Sequence, residues 1–200
     1  MAVNDFNRIA PIYDQIAHLV FGDRLLKAQT HFLDQIKPDD KVLILGGGTG
    51  ALLEYLPICK QIHYVEKSDK MIQRARKRNS KSEVQFINQD FLAFKSPNQY
   101  DVILCPFFLD CFAERKLETV LHKVSAMIAK DGWMMIADFD VQSTSIFLSQ
   151  MMHLFFRLFA SLGSSKLLDI RKHIVRKGFD ESSLQKFKNG IFSTIYKVEQ

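Results

Sequence analysis

The feature that most constrains the fold is an apolar run that ends in a cluster of glycines, KVLILGGGTG at residues 41–50. The apolar residues 42–45 predict a strand that is buried on both faces. The glycines after it permit a tight turn and let the backbone approach a ligand closely. Residues 51–56 have the pattern of the first turns of a helix, which Pro57 ends. A strand, a glycine loop and a helix in this order form the nucleotide-binding corner of an open α/β sheet.

An acidic residue follows this corner at the distance that such a site needs. Residues 61–65 (QIHYV) predict a second short strand, and Glu66 stands at its end, 20 residues after Gly46. A carboxylate in that place can accept hydrogen bonds from both hydroxyls of a ribose. The alternative is a tight turn beside an unrelated surface acid. The presence of both features at this spacing favours the ribose site.

Strand and helix patterns continue toward the C-terminus. Strands are predicted over residues 83–87, 100–104 and 133–137, helices over 69–78 and 114–129, and a β-hairpin over 183–198 with its turn at Asn189-Gly190. Five strands and a hairpin predict an α/β fold, a doubly wound, Rossmann-like, seven-stranded sheet that is mostly parallel and ends in an antiparallel hairpin. Asp90 and Phe91 directly follow the third strand, so we expect them at the edge of the sheet where ligands bind.

The segments outside this pattern predict helices. Residues 1–36 predict two helices, in which Tyr13 is either a core aromatic or part of a lid over the ligand. Residues 141–178 are also predicted to be mainly helical, with a wide apolar face over 147–162. We find neither an internal repeat nor a segment with the composition of a linker. The chain is therefore expected to form a single domain over residues 1–200.

Charge and composition narrow the choice of partners and compartment. The net charge of +5 is concentrated in residues 67–81, which predict a solvated helix face or, alternatively, a patch for an anionic partner. The 17 phenylalanines favour either an apolar binding cavity or simple core filling. Cys59, Cys105 and Cys111 have neither the number for a disulfide framework nor the spacing of a zinc site, so no metal is expected. The N-terminus is polar and the most apolar segment, 146–162, carries polar residues; we expect a cytoplasmic protein without a transmembrane segment.

The glycine loop fits two ligand-binding templates. Gly46, Gly48 and Ala51 satisfy G-x-G-x-x-A, the dinucleotide fingerprint. Gly46, Gly48 and Gly50 satisfy G-x-G-x-G, the loop of S-adenosylmethionine enzymes. The predicted terminal hairpin is not part of a dinucleotide-binding half-fold, whereas it is the seventh-strand feature of methyltransferases. The second template is therefore favoured.

Several segments together resemble the class I S-adenosylmethionine-dependent methyltransferases. Residues 42–50 resemble motif I of that family, and Glu66 looks like its ribose-binding acid. Asp90-Phe91 is similar to the pair that holds the adenine, and residues 101–106 resemble the strand before the methyl-transfer site. The likeness covers about residues 5–140. Residues 6–14 (FNRIAPIYD) also look like the N-terminal signature of the ubiquinone/menaquinone-biosynthesis C-methyltransferases.

This resemblance implies S-adenosyl-L-methionine as the cofactor. The glycine loop would lie against its methionine moiety, Glu66 would bind the ribose, and Asp90 would bind the adenine with Phe91 at the ring face. The sulfonium end would be lined by strand-end residues and covered by Tyr13, since aromatic rings favour a cation. The implied binding residues are Tyr13, Gly46, Gly47, Gly48, Gly50, Glu66, Lys67, Met71, Asp90, Phe91, Cys105 and Pro106.

One position departs from the family pattern. Ile44 stands where the family usually has an acidic residue that helps to order the loop and the methionine ammonium. Weaker cofactor binding, or a scaffold without activity, is therefore an alternative to a fully active enzyme.

Asp110 is the candidate catalytic base. It lies in the apolar run CPFFLDCF at residues 105–112, where partial burial would raise its pKa toward neutrality. The alternatives are a helix N-cap before Glu114 or a solvent-facing acid. His153 and Arg157 lie on the polar stripe of the helix that usually covers the substrate in this family, and they either hold an acidic acceptor or form a plain surface stripe.

Three functions of different classes are consistent with these features. The leading hypothesis is methyl transfer to a small apolar or aromatic molecule, because Phe107, Phe108 and Phe112 follow the fourth strand. The second is a nucleic-acid methyltransferase, which the basic run favours and the lack of an Asn-Pro-Pro-Tyr-type site opposes. The third is a non-catalytic partner that uses the apolar face of residues 147–162 to form a homodimer or to contact a membrane surface.

Overall fold

The structure, a computed structural model, describes residues 6–140 and 168–198 and contains one seven-stranded sheet. The strands are β1 (Lys41–Leu45), β2 (Gln61–Glu66), β3 (Val84–Asn88), β4 (Tyr100–Pro106), β5 (Ile128–Phe139), β6 (Phe179–Phe187) and β7 (Ile191–Val198). Their order is β3-β2-β1-β4-β5-β7-β6. The first five strands are parallel, and β7 is antiparallel to both β5 and β6. This arrangement confirms the predicted fold class.

Helices connect the parallel strands and precede the first one. The α-helices are α1 (Tyr13–Phe21), α2 (Arg24–Thr30), α3 (Asp69–Ala75), α4 (Glu114–Met127) and α5 (Ile170–Arg176). Short 3-10 helices occur at Phe6–Arg8, Ala10–Ile12, Leu33–Gln35, Ala51–Tyr55, Leu109–Cys111 and Lys188–Gly190. At the start of α3, the Ser68 hydroxyl accepts the Met71 N–H at 3.1 Å, so Ser68 is the N-cap of this helix.

The central strand β1 is buried on both faces, as its apolar sequence predicts. Leu43 and Leu45 belong to the core cluster that contains the apolar stripe of α4. Val42 and Ile44 point to the opposite face, where they share a cluster with the Ala51–Tyr55 helix. Ile44 has no exposed surface, and the cluster around it is apolar. Uncompensated burial of a charge is costly, which accounts for an apolar residue at this position.

The order of strands places a crevice at the carboxyl ends of β1 and β4. From β1 the chain adds β2 and β3 on one side, whereas β4 and β5 lie on the other. The loops that leave β1 and β4 therefore turn away from each other. In open α/β sheets, ligands bind in the crevice that results.

Several predicted boundaries differ from the observed ones. Residues 51–56 form only the 3-10 helix Ala51–Tyr55, because Pro57 lacks an N–H and disfavours helical conformation in the residue before it. The second of the two helices predicted within residues 1–36 divides into α2 and the 3-10 helix Leu33–Gln35. The hairpin begins at Phe179 rather than at residue 183, and β5 begins at Ile128 rather than at residue 133.

Some expectations concern residues outside this description. The stretch 141–167 contains most of the segment that was predicted to be helical over 141–178, including its apolar face at 147–162 and the residues His153 and Arg157. Within residues 6–140 and 168–198, no helix has the length and apolar character needed to cross a bilayer.

Candidate active site

A cavity of about 380 Å³ lies at this crevice. The loops after β1, β2, β3 and β4 contribute residues 46–49, 65–67, 89–91 and 106–108 to its wall, and α1 and α2 contribute to the opposite side. This volume lies within the range of small-molecule sites. The sequence-predicted residues that line the cavity are Tyr13, Gly46, Gly47, Gly48, Glu66, Lys67, Met71, Asp90, Phe91 and Pro106.

The glycine loop forms one wall of the cavity with its backbone. Gly46 has a φ of +64°, and a Cβ there would lie 2.5 Å from the ring of Phe108. Gly48 has a φ of +60°, and nothing lies within 4 Å of the place where its Cβ would be. Residues other than glycine rarely adopt a positive φ of this size. The loop therefore offers a ligand direct access to peptide groups.

Glu66 connects the end of β2 to the glycine loop. Its Oε2 accepts the Gly48 N–H at 3.2 Å, and its Oε1 accepts the Ser68 N–H at 2.8 Å. The side chain is buried, and burial raises the pKa of Glu66 above its ordinary value against the opposing effect of these N–H groups. A carboxylate oxygen has two lone pairs, so each oxygen can accept a further hydrogen bond from a ligand in the cavity.

Asp90 is held at the end of β3 by two partners. Its Oδ1 accepts the Leu92 N–H at 2.9 Å, and its Oδ2 lies 3.0 Å from the Lys67 ammonium. Burial alone would raise the pKa of Asp90, but these two donors outweigh it and hold the pKa below its ordinary value. The neighbouring ring of Phe91 is buried and meets the Phe108 ring edge to face, with 5.7 Å between centroids. Asp90 therefore remains an anionic acceptor at neutral pH.

Lys123 fixes the loop that carries Asp90 and Phe91. The sequence alone did not indicate this role. The Lys123 ammonium on α4 donates to the carbonyl of Phe91 at 2.7 Å and to that of Leu92 at 2.9 Å. It also lies 4.9 Å from the centroid of the Phe91 ring. This role of Lys123 could not be recognised from the sequence, because its acceptors are backbone carbonyls about 30 residues away along the chain.

Helix α1 is attached to the glycine loop by Asp14, another residue that sequence reasoning missed. The Asp14 Oδ1 accepts the Thr49 hydroxyl at 2.5 Å, and Oδ2 lies 2.6 Å from an Arg78 nitrogen. A nitrogen of Arg74 lies 3.4 Å from the same oxygen. These contacts place the neighbouring Tyr13 in the cavity wall, where burial raises the pKa of its hydroxyl. The signal in the sequence that could have identified Asp14 was its position directly after the candidate residue Tyr13.

The candidate base Asp110 lies beside the cavity rather than in its wall. Its Oδ1 accepts the Cys111 thiol at 3.5 Å, and Cys111 does line the cavity. The Asp110 N–H donates to Oδ2 of Asp138, which is fully buried at the end of β5. Burial raises the pKa of Asp110 to about 7 and that of Asp138 well above its ordinary value. The N-cap of α4 is Ala113, so Asp110 does not cap that helix.

Two other predicted site residues lie behind the wall. Gly50 packs against α3, and a Cβ there would lie 2.8 Å from the Cβ of Ala75. Cys105 is fully buried within β4, and burial raises the pKa of its thiol. Neither residue is among those that line the cavity, whereas their neighbours Thr49, Ala51 and Pro106 are. Direct cofactor contact by either residue stays a prediction.

The end of the cavity toward α1 and α2 is mainly apolar. Its described lining includes Ala17, Leu25, Leu26 and Phe107, whereas the ring of Phe108 packs between those of Phe91 and Phe112. Polar side chains there include His18 and Gln29. Phe107 has a φ of +51° and its N–H donates to the Ala137 carbonyl at 2.7 Å, which turns its ring across the end of β5 toward Phe139.

The donors and acceptors in this cavity suit an adenosyl group. A buried carboxylate, an anionic acceptor beside an aromatic ring, and an open glycine at position 48 occur along one sheet edge. Across the parts of the chain that the structure describes, no cluster of His, Cys, Asp and Glu could hold a metal ion.

Comparison with known proteins gives a family and a fold. Residues 42–132 match the family described as "Methyltransferase domain". No curated protein matches the sequence. Solved structures similar to the chain include the DhpI–SAH complex, with 17% identity, a TM-score of 0.76, and coverage of 96% of this chain and 93% of that one.

Two further solved structures have the same architecture. One is the complex between the Haloferax volcanii Trm112 methyltransferase activator and the putative methyltransferase, with 15% identity, a TM-score of 0.74, and coverage of 98% of each chain. The other is the PH0226 protein from Pyrococcus horikoshii OT3, with 19% identity, a TM-score of 0.69, and coverage of 97% of this chain and 98% of that one. At such identities the likeness concerns the fold.

The family match and the fold agree with each other. The matched residues 42–132 contain the glycine loop, Glu66, Asp90 and Asp110, and they extend from β1 into β5. The seven-stranded sheet with its antiparallel end extends the likeness to the remaining described strands. The family matched over residues 42–132 and the similar solved structures are S-adenosylmethionine-dependent methyltransferases.

Proposed function

We propose that the protein transfers a methyl group from S-adenosyl-L-methionine to a small apolar or aromatic molecule. The observation that carries the acceptor class is the apolar end of the cavity, where Leu25, Leu26 and Phe107 extend the aromatic wall formed by Phe108 and Phe112. Aromatic and aliphatic walls bind apolar molecules by removing their surface from water. Polar groups such as His18 and Gln29 can then orient an acceptor.

The cofactor half of the proposal rests on Glu66, Asp90 and the glycine loop. Glu66 has acceptor capacity for two ribose hydroxyls beside its bonds to Gly48 and Ser68. Asp90 is placed to accept from an adenine amino group while Phe91 contacts the ring. Two solved neighbours, DhpI and the NodS N-methyltransferase, were determined with S-adenosylhomocysteine, which supports a ligand of this class in a fold of this kind.

The chemical step needs alignment more than proton transfer. The cofactor supplies a methyl group already activated on a sulfonium, so holding acceptor and donor in line provides most of the acceleration. The rings of Tyr13 and Phe108 line the cavity and would limit the access of water to the site of transfer. For an acceptor that must lose a proton, we retain Asp110 as the proposed base, because its raised pKa suits proton abstraction near neutral pH.

A radiochemical assay tests this function. The protein is incubated with S-adenosylmethionine labelled on the methyl group and with three groups of acceptors: phenols and quinols, aliphatic amines, and total RNA. We expect label in the first group and its loss in Glu66→Gln, with the exposed Glu83→Gln as the matched control. Label in RNA alone, or in none of the groups, would contradict the proposed acceptor class.

Methylation of a nucleic acid is the second candidate, because part of the basic run is exposed. Lys70, Arg76 and Lys77 lie on the solvent side of α3 or directly after it. Arg74 and Arg78, in contrast, are engaged by Asp14. RNA binding that weakens steeply with salt would favour this candidate. Binding that is absent at low salt would remove it.

The proposed oligomeric state and the single-domain organisation stay predictions. A homodimer, or contact with a membrane surface, would use the apolar face at 147–162, which lies outside the described residues. Light scattering and flotation with liposomes test both arrangements. A monomer that remains with the soluble fraction would count against this use of that face.

A further inference from the structure

We infer that Phe107 determines how large an acceptor the protein takes, because its ring forms a fixed floor at the end of the cavity toward α1 and α2. The acceptor that fits is a compact, single-ring molecule without a long substituent directed at that floor. The inference rests on the proposed transfer to a small apolar or aromatic acceptor and adds a limit on the size of that acceptor.

The backbone of Phe107 has an unusual conformation. Its φ of +51° lies in the left-handed region, which bulky side chains rarely adopt. The other described non-glycine residues with positive φ are Asp131 and Asn189, and Asp and Asn tolerate this region far better. Such strain persists only where the surrounding structure imposes it, and it is concentrated at functional sites. The conformation therefore points to a role for the Phe107 ring beyond simple packing.

The left-handed turn sends two consecutive rings into different apolar clusters. Strand β4 pairs with β5 as far as Pro106, which lies opposite Ala137, and the Phe107 N–H then donates to the Ala137 carbonyl at 2.7 Å. Phe107 packs with Phe139 and with residues of α1 and α2. Phe108 instead joins the core cluster that contains the apolar stripe of α4. The turn thereby separates the floor of the acceptor end from the ring that lies beside the glycine loop.

The Phe107 ring is supported from behind by other rings. Its centroid lies 5.0 Å from that of Phe139, and the Phe139 centroid lies 5.6 Å from that of Phe21 at the end of α1. Phe139 and Phe21 are only 5% and 6% exposed. Because protein interiors are close-packed, a ring seated on buried rings cannot recede to admit more ligand. Phe107, itself half-buried, therefore fixes the depth of the cavity at this end.

The room at this end suits a compact acceptor. The whole cavity of about 380 Å³ is near the lower end of the range for small-molecule sites, and it has to hold the cofactor as well. Ala17, Leu25 and Leu26 supply apolar walls beside the floor. A single aromatic ring can bury its surface against these side chains. A long alkyl substituent directed at the floor would collide with Phe107.

Methyl transfer to 4-alkylphenols of increasing chain length, from methyl to hexyl, tests this role. Phe107→Ala and Phe107→Gly remove the ring, and Phe107→Leu is a milder replacement in case the truncations impair folding. Phe187→Ala is the matched control, because Phe187 packs in the same apolar cluster but is not among the described residues that line the cavity. Calorimetric binding of the same phenols to the complex with S-adenosylhomocysteine gives the comparison without turnover.

We expect the wild type to prefer the shortest phenols and the Phe107 variants to prefer longer ones, with a smaller shift in Phe107→Leu. Each methylene that enters the new space should raise kcat/KM and affinity by about fourfold, while the shortest phenol loses its contact with the floor and is used less well. Phe187→Ala should keep the wild-type order. Phe107→Gly should melt at a higher temperature than Phe107→Ala, since glycine adopts a positive φ without strain.

An unchanged order of preference in the Phe107 variants, or an equal shift in Phe187→Ala, would overturn the inference. Equal melting temperatures of the glycine and alanine variants would overturn its conformational basis. A wild type that methylates no phenol, but binds short phenols better than long ones, would contradict the proposed chemistry and still support the floor. A wild type that neither binds nor methylates any phenol would contradict the proposed acceptor class, and the size limit with it.

Discussion

The carboxylate of Glu66 accepts the backbone N–H of Gly48 across 3.2 Å, and this contact ties the end of β2 to the loop that leaves β1. The same carboxylate accepts the Ser68 N–H in front of α3. One buried side chain therefore fixes two loops of the site and faces the cavity between them. The candidate ribose site depends on this residue for both its shape and its charge.

Replacement of Glu66 by Gln should weaken S-adenosylhomocysteine binding by about ten- to a hundredfold, because charge-assisted hydrogen bonds to a ligand are each worth roughly 1.5–3 kcal/mol. In either orientation the amide turns its NH2 group toward the N–H of Gly48 or of Ser68, so one of these two hydrogen bonds is lost. Calorimetric titration measures the change. Glu83→Gln, an exposed substitution before β3, should leave the affinity intact. Equal affinity in the Glu66 and Glu83 variants would contradict the ribose assignment.

Asp110 should make stability depend on pH. In the folded protein its pKa is raised to about 7, whereas an unfolded chain titrates this group near 4. The stabilising effect of the folded environment on the protonated acid is complete below about pH 4 and is lost as the pH rises through about 7. Asp110→Asn removes this titration. Between pH 4 and pH 8, the variant should gain about 4 kcal/mol in unfolding free energy relative to wild type.

Urea denaturation at several pH values checks this expectation, with the exposed Asp39→Asn as the control. Burial and the neighbouring Asp110 charge also raise the pKa of Asp138. Removal of that charge in Asp110→Asn should therefore bring the pKa of Asp138 closer to its ordinary value. A constant difference between variant and wild type over that pH range would show that Asp110 is not perturbed. The catalytic role is separate: if Asp110 is a base, the rising limb of the pH–rate profile near pH 7 should disappear in Asp110→Asn.

Lys123 should control the affinity for the adenine end of the ligand. In Lys123→Met, the carbonyls of Phe91 and Leu92 lose their donor, and the loop that carries Asp90 loses its support. We expect affinity for both adenosine and S-adenosylhomocysteine to fall by about three- to tenfold. The exposed Arg115→Met on the same helix should not change either affinity. If adenosine binds Lys123→Met as tightly as it binds wild type, the loop does not need this lysine.

Gly46 should not tolerate a side chain, for two separable reasons. Gly46→Ala requires a left-handed conformation, which costs about 1–2 kcal/mol, and brings its Cβ within 2.5 Å of the Phe108 ring. The double variant Gly46→Ala with Phe108→Ala should relieve the clash and leave the conformational cost. Thermal denaturation of the two single variants and the double variant measures the coupling. Strictly additive losses would show that the ring and the added methyl do not meet.

Periodicity and turn chemistry predicted most of the sheet correctly. The run at residues 42–45 predicted a strand buried on both faces, and β1 is that strand. The Asn189-Gly190 pair predicted the hairpin turn, and both residues have positive φ there. Element ends were less accurate, as at residues 51–56, because a few residues between Gly50 and Pro57 cannot sustain an α-helix.

Site residues that directly follow a strand of the predicted sheet could be identified from the sequence. Site residues whose partners are distant in sequence could not. Glu66 and Asp90 follow strands, and both line the cavity. Lys123 and Asp138 reach loops that are distant in sequence, through backbone atoms that any residue provides. Asp110 was identified by its apolar surroundings, but its pairing with Asp138 depends on the approach of β4 to β5. No local sequence pattern predicts which residues this strand pairing brings together.

The attachment of α1 to the glycine loop has a consequence for how this protein can change over evolution. Asp14 on α1 holds Thr49, while Ala17 and His18 on the following turn of the same helix line the apolar end of the cavity. A mutation that shifts this helix to admit a bulkier acceptor also displaces the anchor of the cofactor loop. New acceptor specificity should therefore arise first through α2 and Phe107, whose replacement leaves that anchor undisturbed.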